Sequence, residues 1–231
     1  PDGWVFATCA WNAEQTDALL APEEGVTAAA EVAPGRYHTI PGRADCALCH
    51  RAAPSVVLGF SALQLSDDRD PLAPHAEALR PGMVTLASLV DADRFSPPRP
   101  EFKSHPPRIR AERPEARAAL GYLSGNCGSC HNATGPLAGL GLVLLHDVGG
   151  EAGAPEPAAL TTVAAPGRYI IPGVAPDSCR LVTPGLPDRS ALPYRMGSRR
   201  PSSQMPPLGT VLPDTTALRL VRRWIAGLGP H

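Results

Sequence analysis

Two five-residue stretches carry the chemistry of this chain: Cys46-Ala47-Leu48-Cys49-His50 and Cys127-Gly128-Ser129-Cys130-His131. In each, two residues separate a pair of cysteines and a histidine follows at once. That spacing lets two thiols bond the vinyl groups of a porphyrin while the imidazole ligates its iron. It predicts two covalently bound haem c groups, one on Cys46, Cys49 and His50 and the other on Cys127, Cys130 and His131. A thioredoxin-type redox motif would sit after a strand in a βαβ unit and has no use for the repeated histidine. A zinc ribbon uses four cysteines but rarely places a histidine after both second cysteines.

Each iron then needs a second axial ligand or an open face. Met205 lies in Gln204-Met205-Pro206-Pro207, where the prolines restrict the backbone and reduce the ordering entropy that a weak thioether ligand must lose. It is a candidate sixth ligand for the second haem, as is Met196, whose other reading is a packed core methionine. For the first haem the candidates are Met83, His75, His38 and an open site. The choice matters because methionine raises the reduction potential relative to a second histidine, whereas an open face admits substrate. Trp4, Trp11, Arg36, Tyr37, Arg168 and Tyr169 are candidate partners for the haem edges or propionates.

The elements that must position these groups are clearest in the second half. Pro114 suits the first position of a helix, and the alanine- and leucine-rich stretch Glu115 to Ser124 runs straight into the second motif. A second helix, capped by Asp214, places Leu218, Val221, Trp224, Ile225 and Leu228 near one face and stops at Gly227 and Gly229. Leu137 to Leu145 is expected to cover a haem face, and residues 149–160 read as a surface excursion. In the first half, Trp4 to Trp11 has strand-forming residues, and Pro34, Gly35, Pro41 and Gly42 break any helix leading into Cys46. Short helices are expected over residues 56–65 and over 84–92, the latter capped near Thr85. A linker is expected over Phe95 to Pro107. The echo of "APGRYHTIPG" (from Ala33) in "APGRYIIPG" (from Ala165) reads as reused turn chemistry, because its spacing to the two motifs differs.

Composition agrees with a chain wrapped around cofactors. Aromatic residues are only 5%, so two porphyrins would supply flat apolar bodies that the core lacks. Twenty-eight prolines and 22 glycines imply many loops, while 43% hydrophobic residues argue against disorder. A net charge of −1 gives no nucleic-acid footprint, and the longest apolar run is too short to span a membrane. Covalent haem attachment occurs outside the cytoplasm, so the chain is expected in the periplasm or extracellular space, with its signal segment absent from this numbering. Cys9 and Cys179 remain after the motifs take four cysteines, and in an oxidising compartment they are expected to pair.

A helix entering C-x-x-C-H, a proline-flanked methionine and a terminal helix bearing Trp224 resemble class I cytochrome c. That resemblance implies that the two helices cross, with Ala119 admitting Trp224, and that Met205, in the proline-rich loop before the terminal helix, is the sixth ligand of the second haem. More of the chain is similar to a family of secreted bacterial c-type haem proteins, through residues 11–20, 40–50, 57–66, 121–137 and 204–210. The expected fold is mainly α and loop-rich. It has an N-terminal haem unit with some β structure over residues 1–107 and a C-terminal cytochrome c-like unit over 108–231. The expected function is electron transfer with redox proteins or a membrane-associated complex, rather than catalysis. The alternatives are a dihaem peroxidase, for which the sequence shows no clear distal acid/base pair, and an interaction module stapled by haem.

Overall fold

The computed structural model describes residues 3–151 and 153–229. Helices occupy 29% and strands 11% of the chain, so the expectation of a mainly α fold is wrong. Among the described residues the fold is loop-rich, with two small sheets and seven helices. Prolines and glycines interrupt most segments before a second or third helical turn can form.

Two antiparallel hairpins open the chain. The first pairs β1 (Cys9–Trp11) with β2 (Ala18–Leu20), so only the end of the expected Trp4 to Trp11 strand is ladder. The second pairs β3 (Val26–Ala33) with β4 (Arg36–Ile40) through a turn in which Gly35 takes φ +67°. The echoed sequence at Ala165 builds no such hairpin: Pro166 makes only an isolated bridge to Arg180.

The first motif forms α1 (Arg43–His50), which starts directly after Pro41-Gly42. No helix forms over residues 56–65, where Pro54 precedes two β-branched valines and Gly59 turns left-handed at φ +77°. The chain continues through α2 (Leu86–Asp91), capped by Thr85 as expected, and α3 (Glu101–Ser104), a short helix inside the expected linker. The rest of the helical structure is α4 (Pro114–Cys127), α5 (Pro157–Thr162), α6 (Ala191–Gly197) and α7 (Thr215–Ala226). Residues 149–160 are not wholly a surface excursion, because Glu156 and Ala158 are buried where α5 packs on α4.

The main core lies between α4 and α7, which pack against each other as the terminal-helix pattern implied. Ala119, fully buried, shares this core with Leu120, Leu123, Leu220, Trp224 and Ile225. Burial of each large side chain is worth about 1.5–3 kcal/mol. Asp214 holds the start of α7 by accepting the Ala217 N–H at 3.0 Å. The first half is tied to this core by Asp70–Arg117 at 3.1 Å, Asp68–Arg108 at 3.0 Å and His75–Asp214 at 2.8 Å.

Candidate functional site

Both motifs are local helical structures. In α1, Gly42 donates its N–H to the Asp45 carboxylate at 3.1 Å and the Cys46 N–H reaches the Gly42 carbonyl at 3.1 Å, so the helix begins just before its chemistry. Cys46, Cys49 and His50 then fall at i, i+3 and i+4 and share one face. His50 Nδ1 lies 2.7 Å from the Val56 carbonyl. A carbonyl only accepts, so Nδ1 carries the proton and Nε2 is left with the lone pair that a metal requires. The Phe6 ring packs 5.2 Å from this imidazole, centre to centre.

The second motif prolongs α4 by one turn, with the Cys130 and His131 N–H groups both reaching the Cys127 carbonyl at 3.2 and 2.9 Å. Gly128 is needed there: a Cβ would stand 2.6 Å from the Ser124 carbonyl oxygen and 2.9 Å from the Leu145 Cα. His131 Nδ1 is buried without a partner, so the chain alone does not fix this ring's tautomer. Burial, then the charge of Arg195, lower its pKa and favour the neutral imidazole that a metal takes.

The fold brings the two motifs together. Cys130 Sγ lies 3.9 Å from the Leu48 carbonyl. The Cys49 thiol has its pKa raised, chiefly by burial and then by the Cys130 thiol beside it. Burial pushes Cys127 up to about 12, so it stays a protonated thiol. The clamp between the motifs is Asn132, a buried residue directly after the second histidine. Its amide donates to the carbonyls of Ala52 at 2.9 Å, Ser129 at 2.9 Å and Gly128 at 3.2 Å, and its oxygen accepts the Gly135 N–H at 2.7 Å. Gly135 itself sits so close that a Cβ would be 2.5 Å from the Ala52 carbonyl oxygen.

Met205 and His131 meet a common neighbour, Arg195 on α6. The Arg195 carbonyl accepts the Met205 N–H at 3.0 Å, its guanidinium acts on His131, and it lies 5.2 Å from the centre of the Tyr169 ring. Met196 packs against the main core. The first-haem candidates are placed less suggestively. Met83 Sδ accepts the Arg80 N–H at 3.3 Å within its own turn, and His75 is engaged by Asp214. His38 faces Ala30 across the second hairpin. Trp4, Trp11 and Tyr37 are exposed, and Arg168 donates to the Gly139 carbonyl at 3.2 Å. The expected disulfide is absent: Cys9 is exposed on β1, whereas Cys179 is buried with Ile171 and Ala191 and accepts the Ile171 N–H at 3.4 Å.

A cavity of about 650 Å³ opens beside the first motif, with Cys49 on its wall. That is within the usual volume range for an organic cofactor or ligand. Leu58, Leu63 and Leu145 supply apolar wall, and Gly121 and Gly125 let it approach α4. Arg69, Arg108 and Arg117 line the same space, and Arg69 Nε is buried without a partner. Cys46 and His50 are not on its wall, and Asp68 and Asp70 line it beside their partners Arg108 and Arg117, so of what a haem needs the cavity offers one motif thiol, apolar wall and the unpaired Arg69 Nε. These arginines went unnoticed in the sequence, as did Asn132, Arg195 and the pair His146–Glu156, because their roles depend on long-range contacts.

No protein-family model, curated protein or solved structure matches the chain. Among the described residues, no helix is long and apolar enough to cross a membrane. No group of three or more His, Cys, Asp or Glu side chains among the described residues is placed to hold a metal ion by itself.

Proposed function

We propose that the chain is a dihaem c-type cytochrome that passes electrons between redox partners, either soluble proteins or a membrane-associated complex, outside the cytoplasm. The observation that carries this reading is the juxtaposition of the two C-x-x-C-H motifs, clamped by Asn132 across the Ala52 carbonyl. Groups anchored on neighbouring thiols are held next to one another, an arrangement suited to relay within one molecule.

The chain's own residues have separable tasks. Cys46 and Cys49 would hold one porphyrin, and Cys127 and Cys130 the other, through thioether bonds. His50 presents Nε2 because the Val56 carbonyl holds Nδ1. Met205, tethered by its backbone to Arg195, is the thioether available to the second site. Arg69, whose Nε has no partner among the described residues, would face a propionate, whereas Arg117 is already paired with Asp70 and Arg108 with Asp68 on the cavity wall. When bound, haem supplies a one-electron ferric/ferrous couple, tuned by its axial ligands and surroundings.

An optical redox titration of the exported, haem-loaded protein tests this. It should take up two electrons per chain reversibly and return them to a one-electron acceptor, without consuming peroxide. Peroxide turnover, or failure of the haems to cycle, would count against a carrier.

A further inference from the structure

The four motif thiols are free in the structure, and the fold gives them unequal surroundings. Cys127, at the end of α4, packs against the main core, whereas Cys130 meets α1: its Sγ lies 3.9 Å from the carbonyl of Leu48, the residue before Cys49. Cys130 also hydrogen-bonds the Cys49 thiol and acts on it more strongly than Cys46 of the same motif does. The backbones behind this pair are pinned to each other. Asn132, just after the second motif, donates to the carbonyl of Ala52, just after the first, at 2.9 Å, and Gly135 closes on that same carbonyl. Both thiols are half-buried, and the cavity of about 650 Å³ has Cys49 and Ser129, the neighbour of Cys130, on its wall. A small reagent can therefore reach the pair without unfolding the chain.

A disulfide needs two sulfurs that the backbone already holds side by side, and the clamp between the motifs supplies this for one thiol from each. We propose that Cys49 and Cys130 form a disulfide across the two motifs in the haem-free chain, and that this bond is a redox-sensitive lock on haem attachment. It forms by thiol–disulfide exchange with a small disulfide such as oxidised glutathione. One S–S bond forms as another breaks: the two cysteines give up two electrons and two protons, and the oxidant leaves as two thiols. Closure takes one thiol from each motif, so neither motif can make two thioether bonds until a dithiol reductant reopens it. It also ties a loop of about 80 residues, which lowers the entropy of the unfolded chain and stabilises the empty protein. The disulfide stands on the placement of the thiols alone, while its bearing on haem rests on the dihaem reading.

The test uses the full chain produced in cells that cannot attach haem. It is treated with oxidised glutathione, its remaining thiols are blocked with N-ethylmaleimide, and it is digested without reduction for peptide mapping by mass. The main linked peptide should join Cys49 to Cys130, with Cys46 and Cys127 carrying the block. The Cys46→Ala/Cys127→Ala variant should form the link as fully as wild type, and Cys49→Ala or Cys130→Ala should leave it absent. A map in which this link is the minor product, whether beside Cys46 to Cys49 and Cys127 to Cys130 links or beside blocked thiols, would overturn the proposal. Dithiothreitol added to the folded, oxidised chain should then release two further thiols to the maleimide; a link that resists it would overturn the lock. The chain exported from cells equipped to mature c-type cytochromes provides the separate readout. If its mass remains that of the bare polypeptide while the Cys49 to Cys130 link forms, the dihaem reading and the lock on it fail and the disulfide stands.

Discussion

Replacing Asn132 with alanine should loosen the junction between the two motifs. The side chain donates to three carbonyls and accepts from the Thr134 N–H at 3.1 Å, the Thr134 hydroxyl at 3.2 Å and the Gly135 N–H at 2.7 Å. A primary amide has two N–H groups and two lone pairs, so these contacts amount to about four full hydrogen bonds. At about 1 kcal/mol net for each, and with the exposed Thr134 able to turn to water, the loss is about 3–4 kcal/mol. Urea denaturation followed by circular dichroism measures it. With a slope of about 2 kcal/mol per molar urea, the midpoint should fall by about 1.5–2 M. Asn132→Asp keeps the acceptor but places an anion near the Ala52 carbonyl and should lose at least half as much. A midpoint shift below about 0.5 M for the alanine variant would refute the view that this amide clamps the motifs together.

Gly135→Ala should destabilise the same junction by about 1–3 kcal/mol, because the new methyl meets the Ala52 carbonyl oxygen and the surrounding backbone must shift; thermal unfolding against wild type measures this. Asp214→Ala removes the cap of α7 and the partner of His75, at a cost of about 1 kcal/mol near neutral pH. Burial alone would raise the Asp214 carboxyl, but the Ala217 amide, His75 and the Tyr122 hydroxyl outweigh it and hold it below its ordinary value. The advantage of wild type over this variant should therefore be full above about pH 4 and vanish as pH falls through the lower folded value. A stability difference independent of pH in that window would show that the capping carboxylate is not its source. In the haem-loaded protein, Met205→Ala should open the second haem to carbon monoxide and lower its midpoint potential; an unchanged optical spectrum would exclude Met205 as a ligand.

Local signals were legible in the sequence where neighbouring residues decide the outcome. Pro114 opens α4, Thr85 caps α2 and Asp214 caps α7 because each acts on N–H groups within one turn. The amphipathic face through Val221, Trp224 and Ile225 likewise fixed which side of α7 meets α4. The helix expected over residues 56–65 failed because its apolar content outweighed the local warning in Pro54 and Gly59. The mainly α expectation failed for a related reason: good helix signals at the chain's end were extended to a first half that spends its residues on hairpins and turns. Cys9 and Cys179 suggested a pair by parity alone, and parity carries no distance. The C-x-x-C-H spacings were visible at once, but their juxtaposition through Asn132 and the setting of His146 on Glu156 arise from contacts across 80 and 10 residues. Neither leaves a periodic or motif signature.

The central claim is that both motifs carry covalent haem. The most direct measurement is the intact mass of the chain after export from cells equipped to mature c-type cytochromes, beside variants in which Cys46 and Cys49, or Cys127 and Cys130, are replaced by alanine. The account predicts a wild type heavier than its 24.1 kDa polypeptide by two haems, and each double variant heavier by one. A wild type at the bare polypeptide mass, with neither motif modified, would contradict it.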